Sequence, residues 1–297
     1  MDIVFHLGAH CTDDGKLMRS LLRSRGAFAD GRVEIPGPRS YRVLLRETIG
    51  ILHGATASAE VQSLLLDGMT ETDDAERVIL FHENLICLPP KVLSPAGLYP
   101  MAPDRIAAMR GLFPDHHCRF QIAMLHPALM IWGLLARNVA ADYNALMAGI
   151  APKVLRWRPL VEAILEKNPD IDLTLWCHED AAVLWPEVLR DLAGLPDTMP
   201  LEGDADMALT LLTDTGTEAL ARSFRETPPR DGVERTERLA DALTRNANPA
   251  LVEQALDFPG WTEAAVTKMT RTYEADCAAL AARGDVRFLT APVAVPA

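Results

Sequence analysis

The sequence predicts an α/β protein, a three-layer sandwich with a mostly parallel central sheet and a helical C-terminal portion. Short apolar runs bounded by polar residues alternate with longer segments of helical periodicity, which is typical of βα units. The 49% hydrophobic content suffices for a substantial core. Turn-forming stretches after Leu195 separate amphipathic helices. We therefore expect one domain over residues 1–297, with the sheet core in 1–195 and mainly helices in 196–297.

The order of the predicted elements follows from these patterns. The apolar runs predict strands at residues 2–7, 77–81, 118–125 and 171–176, with a last short strand at 286–289. Helical periodicity predicts helices at about residues 16–24, 41–53, 103–113, 127–147, 155–166, 181–192, 218–225, 249–257 and 262–282. Pro127 suits the first turn of its helix, where a backbone N–H is not needed. The tryptophans, Trp132 among them, lie among apolar neighbours and are expected in the core.

Charge and cysteine content exclude several classes of protein. There are 29 Lys and Arg against 41 Asp and Glu, a formal charge of -12, which opposes nucleic-acid or acidic-membrane binding. A local site for a small anionic ligand remains compatible with this charge, as does a protein partner. The five cysteines form no CxxC pair, so no disulfide framework is indicated. The helix at 262–282 suits a homodimer face and packing on the sheet equally well.

Two stretches bear on localisation. The N-terminus has no basic segment followed by a long apolar run, so no signal peptide is predicted. The apolar stretch 120–136 is cut in half by His126-Pro127, and each half is too short to cross a bilayer. We expect a buried strand, a turn and a buried helix there, in a cytoplasmic protein.

The opening stretch, MDIVFHLGAHCTDDGK, has the layout of a strand, a phosphate-binding loop and a helix. It resembles the HxGxxKTGTT loop of bacterial members of the sulfotransferase family, a P-loop NTPase-like fold. Further segments resemble later parts of that family in the same order. These are 78–85, a strand ending in His-Glu; 120–133, near the pattern RNPxxxxxS; 176–180, a YED-type strand end; and 272–289, the final helix and strand.

The resemblance implies transfer of a sulfuryl group from 3′-phosphoadenosine 5′-phosphosulfate (PAPS) to a hydroxyl or amine. It implies a phosphate loop formed by Gly8, Ala9, His10, Cys11, Thr12, Gly15 and Lys16. Cys11 stands where the family has Lys, and Asp13 and Asp14 follow Thr12. The family's 3′-phosphate Arg and Ser fall on Leu125 and Gly133.

These replacements predict weak or absent nucleotide binding. A carboxylate close to a phosphate costs on the order of one to a few kcal/mol, and each charge-assisted bond lost with Lys or Arg costs roughly 1.5–3 kcal/mol. We therefore expect a sulfotransferase-like protein whose PAPS chemistry is impaired or lost, acting as a non-catalytic binding protein. The alternative is an active, divergent sulfotransferase that uses PAPS or binds adenosine 3′,5′-bisphosphate. Lys16 either reaches an anion at the helix N-terminus or is a solvated surface charge.

The polar residues at the strand ends allow two further interpretations. His10, Cys11, His82, Glu83, His126 and His178 are metal-ligand types that a parallel sheet would bring to one edge, which suggests a metal-dependent enzyme. Otherwise they are ordinary polar residues that cap the next helix. Glu83, beside His82, suits a general base, and it equally suits a cap for the backbone of residues 84–86.

Overall fold

The computed structural model describes residues 1–28, 32–252 and 256–292, and these residues confirm the α/β prediction. The strands are β1 Asp2–His6, β2 Val33–Glu34, β3 Arg77–Phe81, β4 Leu93–Ser94, β5 Gly97–Leu98, β6 His117–Met124, β7 Asp172–Cys177 and β8 Arg287–Phe288. Six of them form one sheet in the order β2-β3-β1-β6-β7-β8, and β1 pairs in parallel with β3 and with β6. A separate antiparallel pair consists of β4 and β5.

Helices follow most of the sheet strands. They are α1 Lys16–Arg23, α2 Pro38–Leu52, α3 Ala59–Asp67, α4 Ala102–Arg110, α5 Pro127–Ala136, α6 Tyr143–Met147, α7 Trp157–Lys167, α8 Ala181–Ala193, α9 Asp206–Leu209, α10 Asp214–Glu226, α11 Gly232–Asn246, α12 Pro249–Val252 and α13 Glu263–Ala281. Most predicted helix ends lie within three residues of the observed ones. Of the helix predicted at 249–257, residues 253–255 lie outside the described residues, and residues 256 and 257 are not helical.

Burial explains why the central strands were readable in the sequence. Ile3, Val4 and Phe5 in β1 are fully buried, and β6 is buried over most of its length. The stretch 120–136 forms the predicted strand, turn and helix, since β6 ends at Met124 and α5 begins at Pro127. In the described part of the chain, no helix combines the length and the apolar character that spanning a membrane requires.

Two predictions for the segment after residue 127 were wrong. The helix predicted over 127–147 is two helices, because Asn138 takes a left-handed φ of 55° and α6 restarts behind Asp142. The Asp142 carboxylate accepts the Ala145 N–H at 2.8 Å, as an N-cap does. Trp132 is 41% exposed instead of packed in the core. The strands β2, β4 and β5 were missed because each has only two residues, too few to show a pattern of alternating hydrophobicity.

The described residues divide into two compact units. Unit 1 contains residues 1–14, 32–175 and 256–288, and it holds most of the sheet. Unit 2 contains residues 15–28, 176–252 and 289–292, and in it α8 packs with α1, α9 and α11. Its buried Arg190 pairs with Asp204 at 2.6 Å. The C-terminal elements α13 and β8 lie in unit 1, together with most of the sheet. That residues 1–297 form one domain stays a prediction.

Candidate functional site

The loop after β1 runs along the end of β6 as an extension of the sheet. Leu7 donates its N–H to the Gln121 carbonyl at 2.9 Å, and Ala9 donates to Ala123 at 3.1 Å. The Ala123 N–H in turn donates to the Gly8 carbonyl at 2.6 Å. These bonds hold the first part of the loop at the carboxyl end of the parallel strands, where ligands bind in such sheets.

Two glycines let the loop lie close to its neighbours. Gly8 has a φ of +95°, and a Cβ added there would lie 3.2 Å from the His10 nitrogen and 3.4 Å from the Cβ of Glu83. A Cβ on Gly133, in α5, would lie 2.7 Å from the Cβ and 2.8 Å from the Sγ of Cys11. Glycine at 133 therefore makes room for the Cys11 side chain, in a helix that would otherwise favour alanine.

Cys11 fills this space as a neutral thiol. Its φ of 65° is left-handed, and burial raises the pKa of the thiol to about 11. A thiol with that pKa is protonated at neutral pH, so it is neither a good nucleophile nor a ready metal ligand. The side chain at position 11 is thus packed and uncharged.

His10 is fully buried and has partners at both ring nitrogens. The Tyr99 hydroxyl accepts the His10 backbone N–H at 2.8 Å and lies 3.1 Å from Nδ1, while Nε2 lies 3.0 Å from the Asn84 Oδ1. An Nε2–H donating to Asn84, with Nδ1 accepting from Tyr99, satisfies every bond in this network. Burial lowers the pKa of His10, which agrees with a neutral ring. His10 thus fastens the loop to the protein.

Both acids of the loop contact cationic or titratable side chains of the same unit. The Asp13 Oδ1 lies 3.4 Å from the Nε2 of buried His6. Arg137, which follows α5, pairs with Asp14 and also donates from one nitrogen to both Glu83 oxygens, at 2.9 and 3.1 Å. Burial opposes the charge on Arg137, but the hydrogen bond to Glu83 and nearby negative groups outweigh it and raise the pKa of Arg137.

The turn after β3 tests one of the two roles considered for Glu83, that of a cap for the backbone of residues 84–86. The cap of the short turn after β3 is His82, whose Nδ1 accepts the Asn84 N–H at 2.9 Å, so the prediction that Glu83 caps this backbone was wrong. The Nε2 atom of His82 lies 3.1 Å from Nη1 of Arg42. Burial lowers the pKa of His82, and the positive charge of Arg42 lowers it further. The Glu83 carboxylate pairs with Arg137 instead of accepting these backbone N–H groups. Its role as a general base stays a prediction.

The remaining strand-end residues also have structural partners. His126 caps α5, with Nδ1 accepting the Ala128 N–H at 3.2 Å, and its Nε2 lies 3.1 Å from the Thr270 hydroxyl. His178 begins the single turn that follows β7. Across the described ranges, no three His, Cys, Asp or Glu side chains are arranged so that they could hold a metal ion. The predicted ligand types are present, but their side chains serve other contacts.

The two positions expected to hold a 3′-phosphate offer no group for it. Leu125 is buried, and its carbonyl accepts a hydrogen bond from the Trp157 indole at 2.8 Å. Gly133 has no side chain, and Cys11 occupies the space beside it. In the loop, the Thr12 hydroxyl donates to the Ala9 carbonyl at 2.7 Å. Each side chain from His10 to Asp14 thus has a contact within the protein.

Fold and site together define an α/β protein with a strand-loop-helix at the sheet edge. No protein-family model matches the chain, and no curated protein matches it. Among solved structures it is similar to the crystal structure of a sulfotransferase from Alicyclobacillus acidocaldarius. The identity is 15%, the TM-score is 0.38, and the match covers 85% of this chain and 96% of that one. Similarity at this level is too low to assign a family or an activity.

Sequence reasoning missed Arg137 and Tyr99, the two side chains that fix the loop. Arg137 lies at the end of α5, where a cation also complements the helix dipole, but nothing local links it to a loop 123 residues earlier. Tyr99 lies 89 residues from His10 and follows a two-residue strand. Gly133 did carry a signal, because a glycine inside an apolar helix indicates a close approach.

Proposed function

We propose that this chain is a sulfotransferase-like protein in which standard PAPS-dependent sulfuryl transfer is lost, and that it acts as a binding protein. The observation that carries the proposal is the pairing of Arg137 with Asp14 and Glu83. The Arg137 guanidinium is already shared by two carboxylates, and these three groups together carry a net charge of −1.

The electrostatic penalty for a phosphate or sulfate follows from this arrangement. A unit anion about 4 Å from one uncompensated carboxylate is disfavoured by about 1 kcal/mol in water and by about 4 kcal/mol at an effective dielectric constant of about 20. The Cys11 thiol is neutral, so it does not attract the anion and does not offset this repulsion. These terms oppose the binding of adenosine 3′,5′-bisphosphate in the loop.

The test is a calorimetric titration with adenosine 3′,5′-bisphosphate. We expect no saturable heat with the natural chain at millimolar ligand, and measurable binding with Asp14→Asn, which frees Arg137 from one carboxylate. Asp73→Asn is the matched control, since Asp73 is an exposed acid elsewhere in unit 1. Micromolar binding to the natural chain would contradict the proposal.

One observation favours the alternative of an active, divergent sulfotransferase. Arg137 places a guanidinium beside Glu83, the candidate base, and the Asp14 side chain is 72% exposed and can turn towards water. In that alternative Arg137 supplies the charge that Cys11 lacks, and PAPS displaces Asp14. Transfer of labelled sulfuryl from PAPS to a panel of phenol, alcohol and amine acceptors would establish it, provided that Arg137→Gln abolishes the transfer.

A further inference from the structure

Unit 1 contains a cavity of about 560 Å³ away from the loop. Its walls are the first residue of α5, the first residue of α6, the segment 152–157, and the segment 259–276 that includes part of α13. A volume of this size lies within the range of sites that hold small molecules. The loop residues discussed above do not line it.

One wall of the cavity is a fixed aromatic surface. The Trp261 indole donates to the Tyr143 hydroxyl at 2.7 Å, and the Tyr143 ring stacks on Phe258 with centroids 5.3 Å apart. Phe258 meets Trp261 at 69° with centroids 5.0 Å apart. The two rings that line the cavity, Tyr143 and Trp261, meet at 89° and form an apolar corner, with Phe258 packed against both. Because the three rings hold one another in place, a ring that binds in this corner orders few protein side chains.

The one acid of the lining is neutralised within the wall. Asp276 is almost fully buried, pairs with Arg156, and accepts the N–H groups of Trp157 and Arg158 at 3.2 and 3.3 Å. It therefore caps the N-terminus of α7, which accounts for its burial. Arg156 and Asp276 together add no net charge to the cavity.

Two ammonium groups line the same cavity without a compensating charge. Lys153 and Lys268 are exposed lining residues, and neither has an ion-pair partner in the part of the chain that the structure describes. With Arg156 and Asp276 balanced, the described residues of the lining carry a net charge of +2, in a chain whose overall charge is -12. Lys268 also lines a second, shallow depression beside Glu263 and Arg271. The charges of Glu263 and Arg271 cancel each other there.

We propose that this cavity binds a small organic anion with a flat ring system, such as an aromatic carboxylate, sulfonate, or sulfate or phosphate ester. The ring stacks on one of Trp261 and Tyr143 and meets the other edge-on, and the anionic group faces Lys153 and Lys268. This assignment rests on the proposed function, because it gives the binding protein its ligand class. It places that ligand at a separate site from the loop.

The experiment uses 1-naphthalenesulfonate as the probe and uncharged 1-naphthalenesulfonamide as its matched analogue, with calorimetry on the full chain. We expect saturable binding of the sulfonate, and binding of the sulfonamide that is at least tenfold weaker. The double variant Lys153→Gln, Lys268→Gln should lose at least tenfold in affinity for the sulfonate and stay within twofold for the sulfonamide. Lys167→Gln is the control, because Lys167 pairs with Asp104 and does not line the cavity.

A second variant tests the aromatic wall. Trp261→Leu should weaken both ligands by a similar factor, and Trp261→Phe should retain most of the affinity for both. No saturable binding of the sulfonate to the natural chain would overturn the assignment, and so would equal affinities for sulfonate and sulfonamide. Asp14→Asn should leave these affinities unchanged, so a failure at the cavity is distinguishable from a failure of the proposed function at the loop.

Discussion

The close approach of Cys11 to Gly133 gives a sharp test of the loop structure. Gly133→Ala places a Cβ at 2.7–2.8 Å from two side-chain atoms of Cys11, well inside the roughly 3.5–4.0 Å of an ordinary contact. Overpacking of this kind costs about 1–3 kcal/mol, while alanine in place of glycine inside a helix gains about 1 kcal/mol. The expected net loss in the free energy of unfolding is therefore about 0–2 kcal/mol.

A double-mutant cycle separates the clash from the helix propensity. Cys11→Gly removes the clashing atoms and suits the left-handed φ of 65°. In that background Gly133→Ala should become stabilising by about 1 kcal/mol, so the coupling between the two sites should equal the clash energy of about 1–3 kcal/mol. Urea unfolding followed by circular dichroism measures all four chains.

A glycine with open space around it provides the control. Gly50 lies in α2, and a Cβ added there meets nothing within 4 Å, so Gly50→Ala should stabilise by up to about 1 kcal/mol. If Gly133→Ala behaves like Gly50→Ala and shows no coupling to Cys11→Gly, the loop does not lie against α5 as described.

Three further predictions concern the loop. Tyr99→Phe removes the hydroxyl that accepts the buried His10 N–H, so the free energy of unfolding in urea should fall by about 1–3 kcal/mol, and an unchanged midpoint would contradict the network. Because burial lowers the pKa of His10, its stabilising contribution is present above its unfolded pKa of about 6.5 and is lost as the pH falls through the folded value. His10→Gln should therefore flatten the decline in stability as the pH falls below about 6.5, and an unaltered decline would argue against a buried neutral ring. Burial raises the pKa of Cys11 to about 11, so its alkylation by iodoacetamide, read from the Cys11 peptide by mass spectrometry, should accelerate about tenfold per pH unit up to about pH 10. Fast alkylation at pH 7 would show that the thiol is not packed as described.

Patterns of burial made the sheet predictable from the sequence. β3 was predicted at residues 77–81 and is Arg77–Phe81, because the short apolar run 78–81 between polar neighbours is typical of a buried strand. The start of α5 was predictable at Pro127, since proline suits a first turn and forbids a helix interior. The absence of a cation at position 11, and the two acids that follow Thr12, were also visible in the sequence.

The sequence alone determined the parallel sheet and the acidic loop at its edge, because strand burial and residue type are local properties. The partners of that loop were decided only by the tertiary structure. Arg137 lies 123 residues from Asp14 and 54 from Glu83, and Lys153 and Lys268 line one cavity from segments more than a hundred residues apart. Such contacts depend on how each helix is rotated and where each loop turns, and the periodicity of one segment carries no information about the other.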